Sequence, residues 1–409
     1  MMKKFITLYV LLLLVSTSVI AQKDTSFVTH IPADSTNNMN MDAVYNRPFL
    51  GLGKSPVALG GYLEGNWQYA STDGVTEGHQ FQARRLTLFA ASKIYRNLKF
   101  LTEIEFEDGG KEIAIEFASL DVELHHLLNL RGGIVMNPIG AFNQNHDGPK
   151  WEFIDRPISA TQMLPATWSN AGFGAYGKTY SGKWMFGYEF YLTGSFDNTI
   201  IENAENRTFL PASKLNPERF EEINSGKPLV NGKLAMRYSK IGEIGLSYMG
   251  GVYNKFQDDG LILDDQRRLD VFAIDWNSVI PKAQTRIVGE FAWIFVDVPE
   301  NYSPFFGNKQ HGGFVDIIQP VLQRKILGWS KAVVNLSCRL EYVDWNVGRF
   351  EETNGTLGDY VWSIVPSISL RPSAQTVFRF NYRYQEQTDL FNNPAALTGV
   401  FSFGFSTYF

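Results

Sequence analysis

The last nine residues, Phe401-Ser-Phe-Gly-Phe-Ser-Thr-Tyr-Phe409, restrict this chain more than any other stretch. Phe401, Phe403, Phe405, Thr407 and Phe409 fall on one side of a period-2 pattern, and Ser402, Gly404, Ser406 and Tyr408 fall on the other. Alternation of this kind describes a strand with one apolar and one polar face. An ordinary sandwich strand could end the chain this way, but an unpaired strand with so much aromatic surface invites edge-to-edge association. A closed barrel in a lipid bilayer removes the difficulty, because its outward side chains meet hydrocarbon and every edge is paired.

The other end of the chain points to export. Met1-Met-Lys-Lys4, the apolar run Phe5 to Val15 and the small-residue site Val19-Ile-Ala21 read as a signal peptide over residues 1–21, too short to span a membrane as a helix. The single cysteine, Cys338, excludes an internal disulfide and reads as a small apolar side chain on a strand face. With 44% apolar, 14% aromatic and 19% charged residues, the chain is too apolar to be disordered, yet it shows no helical-period core. Loss of Lys3 and Lys4 with the signal takes the formal charge from −5 to −7, which argues against a nucleic-acid partner.

Residues 22–56 lack periodicity and read as a periplasmic or lumen-facing extension with the composition of a flexible tail. From residue 57 to 409 the pattern is that of strands. Trp184, Phe186, Tyr188, Phe190 and Leu192 oppose Gly187, Glu189 and Thr193; Val334, Leu336, Cys338, Leu340 and Tyr342 oppose Asn335, Ser337, Arg339 and Glu341. Sixteen such segments can be laid along the chain, with Pro320 a weak point in one of them because proline removes a ladder donor. Their connections alternate. Segments 92–97, 125–129, 181–183, 239–243, 278–282, 324–331 and 372–374 are short, whereas 137–170, 197–230, 297–311 and 346–358 are long. Short periplasmic turns alternating with longer outer loops predict an all-β fold, a transmembrane antiparallel β-barrel of about sixteen strands integral to the outer membrane.

At sixteen strands, wall side chains no longer fill the lumen, and a water-filled channel is expected unless something plugs it. The inward positions then line a pore: Arg85, Glu103, Glu105, Asp121, Glu123, Glu189, Arg286, Glu290, Arg339, Glu341, Arg379 and Arg383. The long segment after the fifth strand is the natural one to fold inward as a constriction, carrying His146, Asp147, Lys150, Glu152, Asp155 and Arg156. Charged groups at a constriction set which ions or solutes pass. Asp155 and Arg156 are equally placed to form an ion pair that simply holds the loop, and Glu103 and Glu105, with Glu107, to be no more than a solvated face.

Several stretches carry a resemblance to the phosphate-selective porin O and P family. They are Arg84-Arg-Leu-Thr-Leu88, Leu98-Lys-Phe-Leu-Thr-Glu-Ile-Glu-Phe106, Ala118-Ser-Leu-Asp-Val-Glu-Leu124, Leu130-Arg-Gly-Gly-Ile-Val-Met-Asn-Pro-Ile-Gly140 and Phe153-Ile-Asp-Arg-Pro157. The likeness is best over residues 60–196. It implies a sixteen-stranded, trimeric bacterial porin with an inward-folded third extracellular loop. The chain's end resembles the assembly signal of outer-membrane barrels, carried by Phe401, Phe403, Phe405 and Phe409 and read by the barrel assembly machinery. The expected function is passive diffusion of ions and small hydrophilic solutes, with modest charge selectivity. The inward acidic residues do not match the basic ladder of phosphate-passing members.

Two other functions remain to be weighed. An enzyme needs a histidine beside a serine or a carboxylate, and His30, His79, His125, His126, His146 and His311 are scattered over tail, turns and loops. No enzyme, cofactor or metal is therefore expected. A plugged barrel acting as a hydrophobic-solute transporter or adhesin is the alternative.

Overall fold

A computed structural model of the chain describes residues 39–44, 47, 48, 57–221, 223, 225–300, 302–350 and 353–409. Residues 1–21, read from the sequence as a signal peptide, and most of 22–56 lie outside these. Sixteen antiparallel strands close into one barrel. In chain order they are β1 (Val57–Thr72), β2 (Val75–Tyr95), β3 (Leu98–Glu107), β4 (Glu112–His125), β5 (Leu128–Met136), β6 (Ser169–Ser181), β7 (Trp184–Thr193) and β8 (Leu229–Tyr238). There follow β9 (Gly242–Val252), β10 (Arg268–Ile280), β11 (Thr285–Val296), β12 (Lys309–Ile326), β13 (Trp329–Asp344), β14 (Tyr360–Ser373), β15 (Thr376–Thr388) and β16 (Ala396–Tyr408). Each pairs with its neighbours in sequence, and β16 pairs with β1. Pro320 sits in β12 where the register with β13 shifts, a bulge that tolerates its missing donor.

Burial follows the alternation read from the sequence. Along β16, Phe401, Phe403 and Phe409 are exposed, Phe405 is half-exposed, and Ser402, Gly404, Ser406 and Tyr408 are buried inward. Leu59, Phe81, Phe173, Leu234, Leu246 and Ile368 extend the same apolar exterior around the wall. A closed sheet with this surface satisfies its backbone internally and presents hydrocarbon-compatible side chains to lipid, which makes the chain an integral outer-membrane barrel.

The interior is not a uniform polar wall. In the outer half of β8 to β14, many inward positions are apolar: Leu229, Met249, Leu269, Val271, Ala273, Ala292, Ile294, Val296, Val343 and Val361 are all buried, with polar Asn231 and Gln310 among them. Phe196, Ile200, Ile201 and Leu210 from loop 194–228 pack on them, together with Ile139, Ile158, Met163, Leu164 and Trp168 from loop 137–168. Burying each large side chain contributes about 2 kcal/mol, which offsets the cost of ordering two long loops. These loops therefore form a core inside the barrel.

The seam between first and last strands depends on a close approach. Phe409 and Gly61 exchange backbone hydrogen bonds of 3.0 and 3.2 Å, and the Phe409 ring lies over Gly61. A Cβ at residue 61 would stand 2.1 Å from the Thr87 carbonyl oxygen, a backbone atom that cannot step aside alone. Gly61→Val should therefore cost about 1–3 kcal/mol through overpacking. A lower midpoint for loss of the fast-migrating folded band on heating in detergent gels is the expected result.

Candidate functional site

Loop 137–168 crosses the lumen and is tied to walls on opposite sides. On the β7–β11 side, the backbone N–H groups of Ala141 and Phe142 donate to Glu290 Oε2 (2.7 and 3.0 Å), Gln144 donates to Glu189 (2.8 Å) and Lys233 donates to the Gly140 carbonyl (2.9 Å). On the β13–β15 side, Arg371 donates to Glu152 (2.7 Å), Arg379 to the Phe153 carbonyl (2.6 Å) and Arg339 to the Asp155 carbonyl (2.8 Å). Asn381 and Glu341 accept from the N–H groups of Ile154 (2.7 Å) and Ile158 (2.9 Å). A loop without strand partners needs such acceptors and donors for its backbone, and the polar wall supplies them.

The structure brings most of the sequence-predicted charges together as pairs. Arg339 is bidentate to Asp316 (2.7 and 2.8 Å), Arg383 meets Glu341 (2.6 Å) and Arg131 meets Asp121 (2.9 and 3.0 Å). Arg85 donates to Glu105 and Glu107 (3.3 and 2.8 Å), while Arg156 lies 3.4 Å from Glu105. Asp155 and Arg156 do not pair with each other: Asp155 takes Arg84 at 2.6 Å and Arg156 turns to the β3 glutamates. Glu103 binds Arg47 (2.7 Å), which also holds Asp147 (2.6 and 2.9 Å), with His146 and Lys150 alongside. Arg286 reaches the Lys150 carbonyl at 3.4 Å. Glu123 pairs with Lys99 in a half-exposed position beside the 126–127 turn, away from the loop.

Glu103 and Glu105 face inward, but neither is a solvated wall group, since both side chains are fully buried against arginines. The open space lies to one side. Gln82, Arg84, Arg85, Glu107 and Asp108 from β2, β3 and their neighbouring turn, Asp155, Arg156, Thr161 and Gln162 from the loop, and Arg383 and Gln385 from β15 line an outward-opening vestibule of about 390 Å³. Four arginines and three carboxylates meet there.

Three elements of this site escape the sequence pattern. Strict alternation places Arg84 on the lipid side, but β2 carries an extra residue where Glu64 pairs with Arg85 and Gly65 with Ala83, and this bulge turns Arg84 inward beside Arg85. Loop 194–228 also folds in; Lys214 bridges the Ala166 carbonyl and Glu116. The third is Arg47. Its segment reads as a flexible tail, yet Met39, Asn40, Met41, Val44 and Arg47 are buried against the inner wall.

Two loop carboxylates are held ionised. Burial opposes ionisation of Asp155, but the Arg84 guanidinium, then Arg383, outweighs it and holds the carboxyl at about 2, below its ordinary 3.8. Burial likewise opposes ionisation of Asp147, and Arg47 with Lys150 depresses it further still. A depressed folded-state pKa gives stability that is present above the unfolded value and lost as pH falls through the folded one. Loop docking should therefore hold from neutrality to about pH 4 and weaken toward pH 2. Pepsin cleavage within residues 137–168, appearing only at the acid end, is the expected readout; Asp155→Asn should be cut at higher pH.

Comparison with known proteins agrees on architecture. No protein-family profile matches the chain. An uncharacterized protein of Aquifex aeolicus is 29% identical over 226 residues, covering 51% of this chain and 50% of that protein, so the alignment spans about half of the relative's length. Among solved structures, OprB of Pseudomonas putida superposes with a TM-score of 0.55 at 8% identity, over 87% of this chain and 94% of that one. The outer membrane channel DcaP of Acinetobacter baumannii gives 0.53 at 12% identity, over 86% and 97%. The anion-selective porin from Comamonas acidovorans gives 0.51 at 13%, over 86% and 99%. At these identities the likeness is one of fold: the chain has the sixteen-stranded barrel architecture of outer-membrane porins.

Proposed function

We propose that this protein is an outer-membrane channel of the porin kind, passing ions and small hydrophilic solutes without chemical change along an off-centre route through the vestibule. The observation that carries the reading is the charged, water-accessible space of about 390 Å³ beside Arg84, Arg85, Arg156 and Arg383, inside a barrel across whose lumen loop 137–168 is tied to opposite walls. The porin-fold neighbours and the resemblance of residues 60–196 to the O and P porins support it. Phosphate preference is not part of the proposal. The vestibule mixes cations and carboxylates, so a weak charge selectivity fits better than a dedicated anion path. Association as a homotrimer and insertion by the barrel assembly machinery belong to the same reading, supported by the resemblance.

The plugged-barrel alternative draws support from one feature, the apolar core that the two long loops build within the outer half of the lumen. That core is already filled by the chain's own side chains, which leaves a hydrophobic solute little to bind.

Conductance in planar bilayers separates the two. The channel reading expects small discrete openings from the folded barrel, and silence from the wild type and from a chain lacking residues 39–48 alike would favour the plugged one. Arg371 and Arg379 hold the carbonyls of Pro149 and Phe153 (2.8 and 2.6 Å). Replacing both by alanine should loosen the loop and raise conductance several-fold. Replacing Arg84 and Arg383 by glutamine leaves Glu107, Asp108 and Asp155 to dominate the vestibule, and the reversal potential in a salt gradient should move toward cation preference.

A further inference from the structure

On β3 the inward rungs descend from the outer turn as Glu107, Glu105, Glu103 and Leu101, about 6.8 Å apart. Glu107 faces the vestibule, and Glu105 with Arg85, Arg156 and the Tyr62 hydroxyl (2.9 Å) forms its floor. The next rung down is occupied by a different part of the chain. Arg47 enters with its guanidinium fully buried, donating to Glu103 (2.7 Å) and to both oxygens of Asp147 (2.6 and 2.9 Å), 3.5 Å from His146 Nε2 and stacked 3.9 Å from the Phe89 ring centroid. Tyr408, on the last strand, donates to the same Asp147 (2.6 Å). Val44 fills the rung of Leu101 with Phe117 and Met136.

The rest of the described N-terminal segment is tied along the periplasmic half of the lumen. Lys150 of the inward loop donates to the Ala43 carbonyl (3.0 Å), and Lys178 on β6 pairs with Asp42. The Asn40 N–H donates to Glu243 (3.0 Å) and its amide to Asp275 (3.1 Å), across the barrel on β9 and β10. Met39 and Met41 pack with Met185 and Ala235, where β7 places Gly187 so that a Cβ there would stand 2.6 Å from the Met41 sulfur. These contacts reach from β2–β4 to β7–β10, so the segment passes beneath the vestibule from one wall to the other.

We propose that residues 39–44, 47 and 48 form a tethered stopper that closes the periplasmic side of the channel, with Arg47 as its latch, and that conduction requires the latch to leave the Glu103–Asp147–His146 cradle. The latch is a cation whose partners, Glu103, Asp147 and His146, are completely buried with it in place. Removing it leaves Glu103 without its guanidinium and Asp147 with Lys150 alone (3.2 Å), and the freed carboxylate oxygens must then hydrate, which draws water into the rung that the stopper fills. The Glu103, His146 and Asp147 ligand atoms lie within 4.8 Å of one another, a spacing that suits a single cation. In this structure the guanidinium is that cation.

This inference rests on the channel reading above, and the test keeps the two apart. In a Cys338→Ala background, Met41→Cys with Gly187→Cys should form a disulfide in the folded barrel, seen as a mass loss of two hydrogens; failure to link would overturn the seating. In planar bilayers the oxidised protein should be nearly silent, with conductance rising several-fold on addition of reductant. Equal conductance before and after reduction would overturn the stopper while leaving the channel intact. Arg47→Ala should conduct several-fold more than wild type with no change of the folded band in detergent gels, and millimolar methylguanidinium should lower that conductance by refilling the cradle. Silence from the reduced double variant, from Arg47→Ala and from a chain lacking residues 39–48 would remove the channel reading and the stopper together.

Discussion

A sixteen-stranded wall encloses more volume than its own side chains can occupy, and every charge that points into that volume needs water or a partner. This chain supplies partners from itself. Arg339 with Asp316, Arg383 with Glu341, Arg85 with Glu105 and Arg47 with Glu103 and Asp147 are pairs or clusters buried within the barrel. A buried pair gains little over an apolar filling of the same shape, but losing one member leaves an expensive lone charge. The network therefore acts less as glue than as a specification: each loop residue has one place on the wall where its charge is met.

That specification divides the lumen by height and by side. In the outer half of β8 to β14 the wall is apolar and loop 194–228 packs on it as one layer packs on another in a soluble domain. At mid-height the wall is charged, and loop 137–168 is fastened through its backbone, whose carbonyls accept from Arg339 and Arg379 and whose N–H groups donate to Glu290 and Asn381. Beside β2, β3 and β15 loop and wall stand apart, and there the vestibule opens. The position of the vestibule follows from where the two loops find partners and where they do not.

The barrel was legible from sequence because each strand reports its two faces locally. The terminal phenylalanines, the Trp184–Leu192 alternation and the sorting of short and long connections need no knowledge of distant residues. The closed lumen was not legible in the same way. Glu103 and Glu105 have the pattern of a water-facing wall, and the residues that bury them, Arg47, Arg85 and Arg156, are set by register and by loop path. One signal was available. Ala273, between Phe272 and Ile274, and Ile294, between Trp293 and Phe295, are apolar inward residues beside apolar outward neighbours, and a strand stretch apolar on both faces must be covered on both. Arg84 gave none, since a bulge residue looks like any other along a strand.

Phe409 and Tyr408 join these levels. Phe409 looks out to lipid and closes the barrel against Gly61, while the adjacent Tyr408 looks in and donates to Asp147, the carboxylate that also takes the Arg47 guanidinium. Because side chains alternate along a strand, the register that seats Phe409 at the seam also fixes where Tyr408 stands in the lumen. A one-residue slip of β16 would place a phenylalanine against Asp147 and a hydroxyl in the lipid-facing row. Barrel closure and the latch cradle are therefore conditions on the same register: the strand that completes the wall also places one of the groups that hold the inward loop.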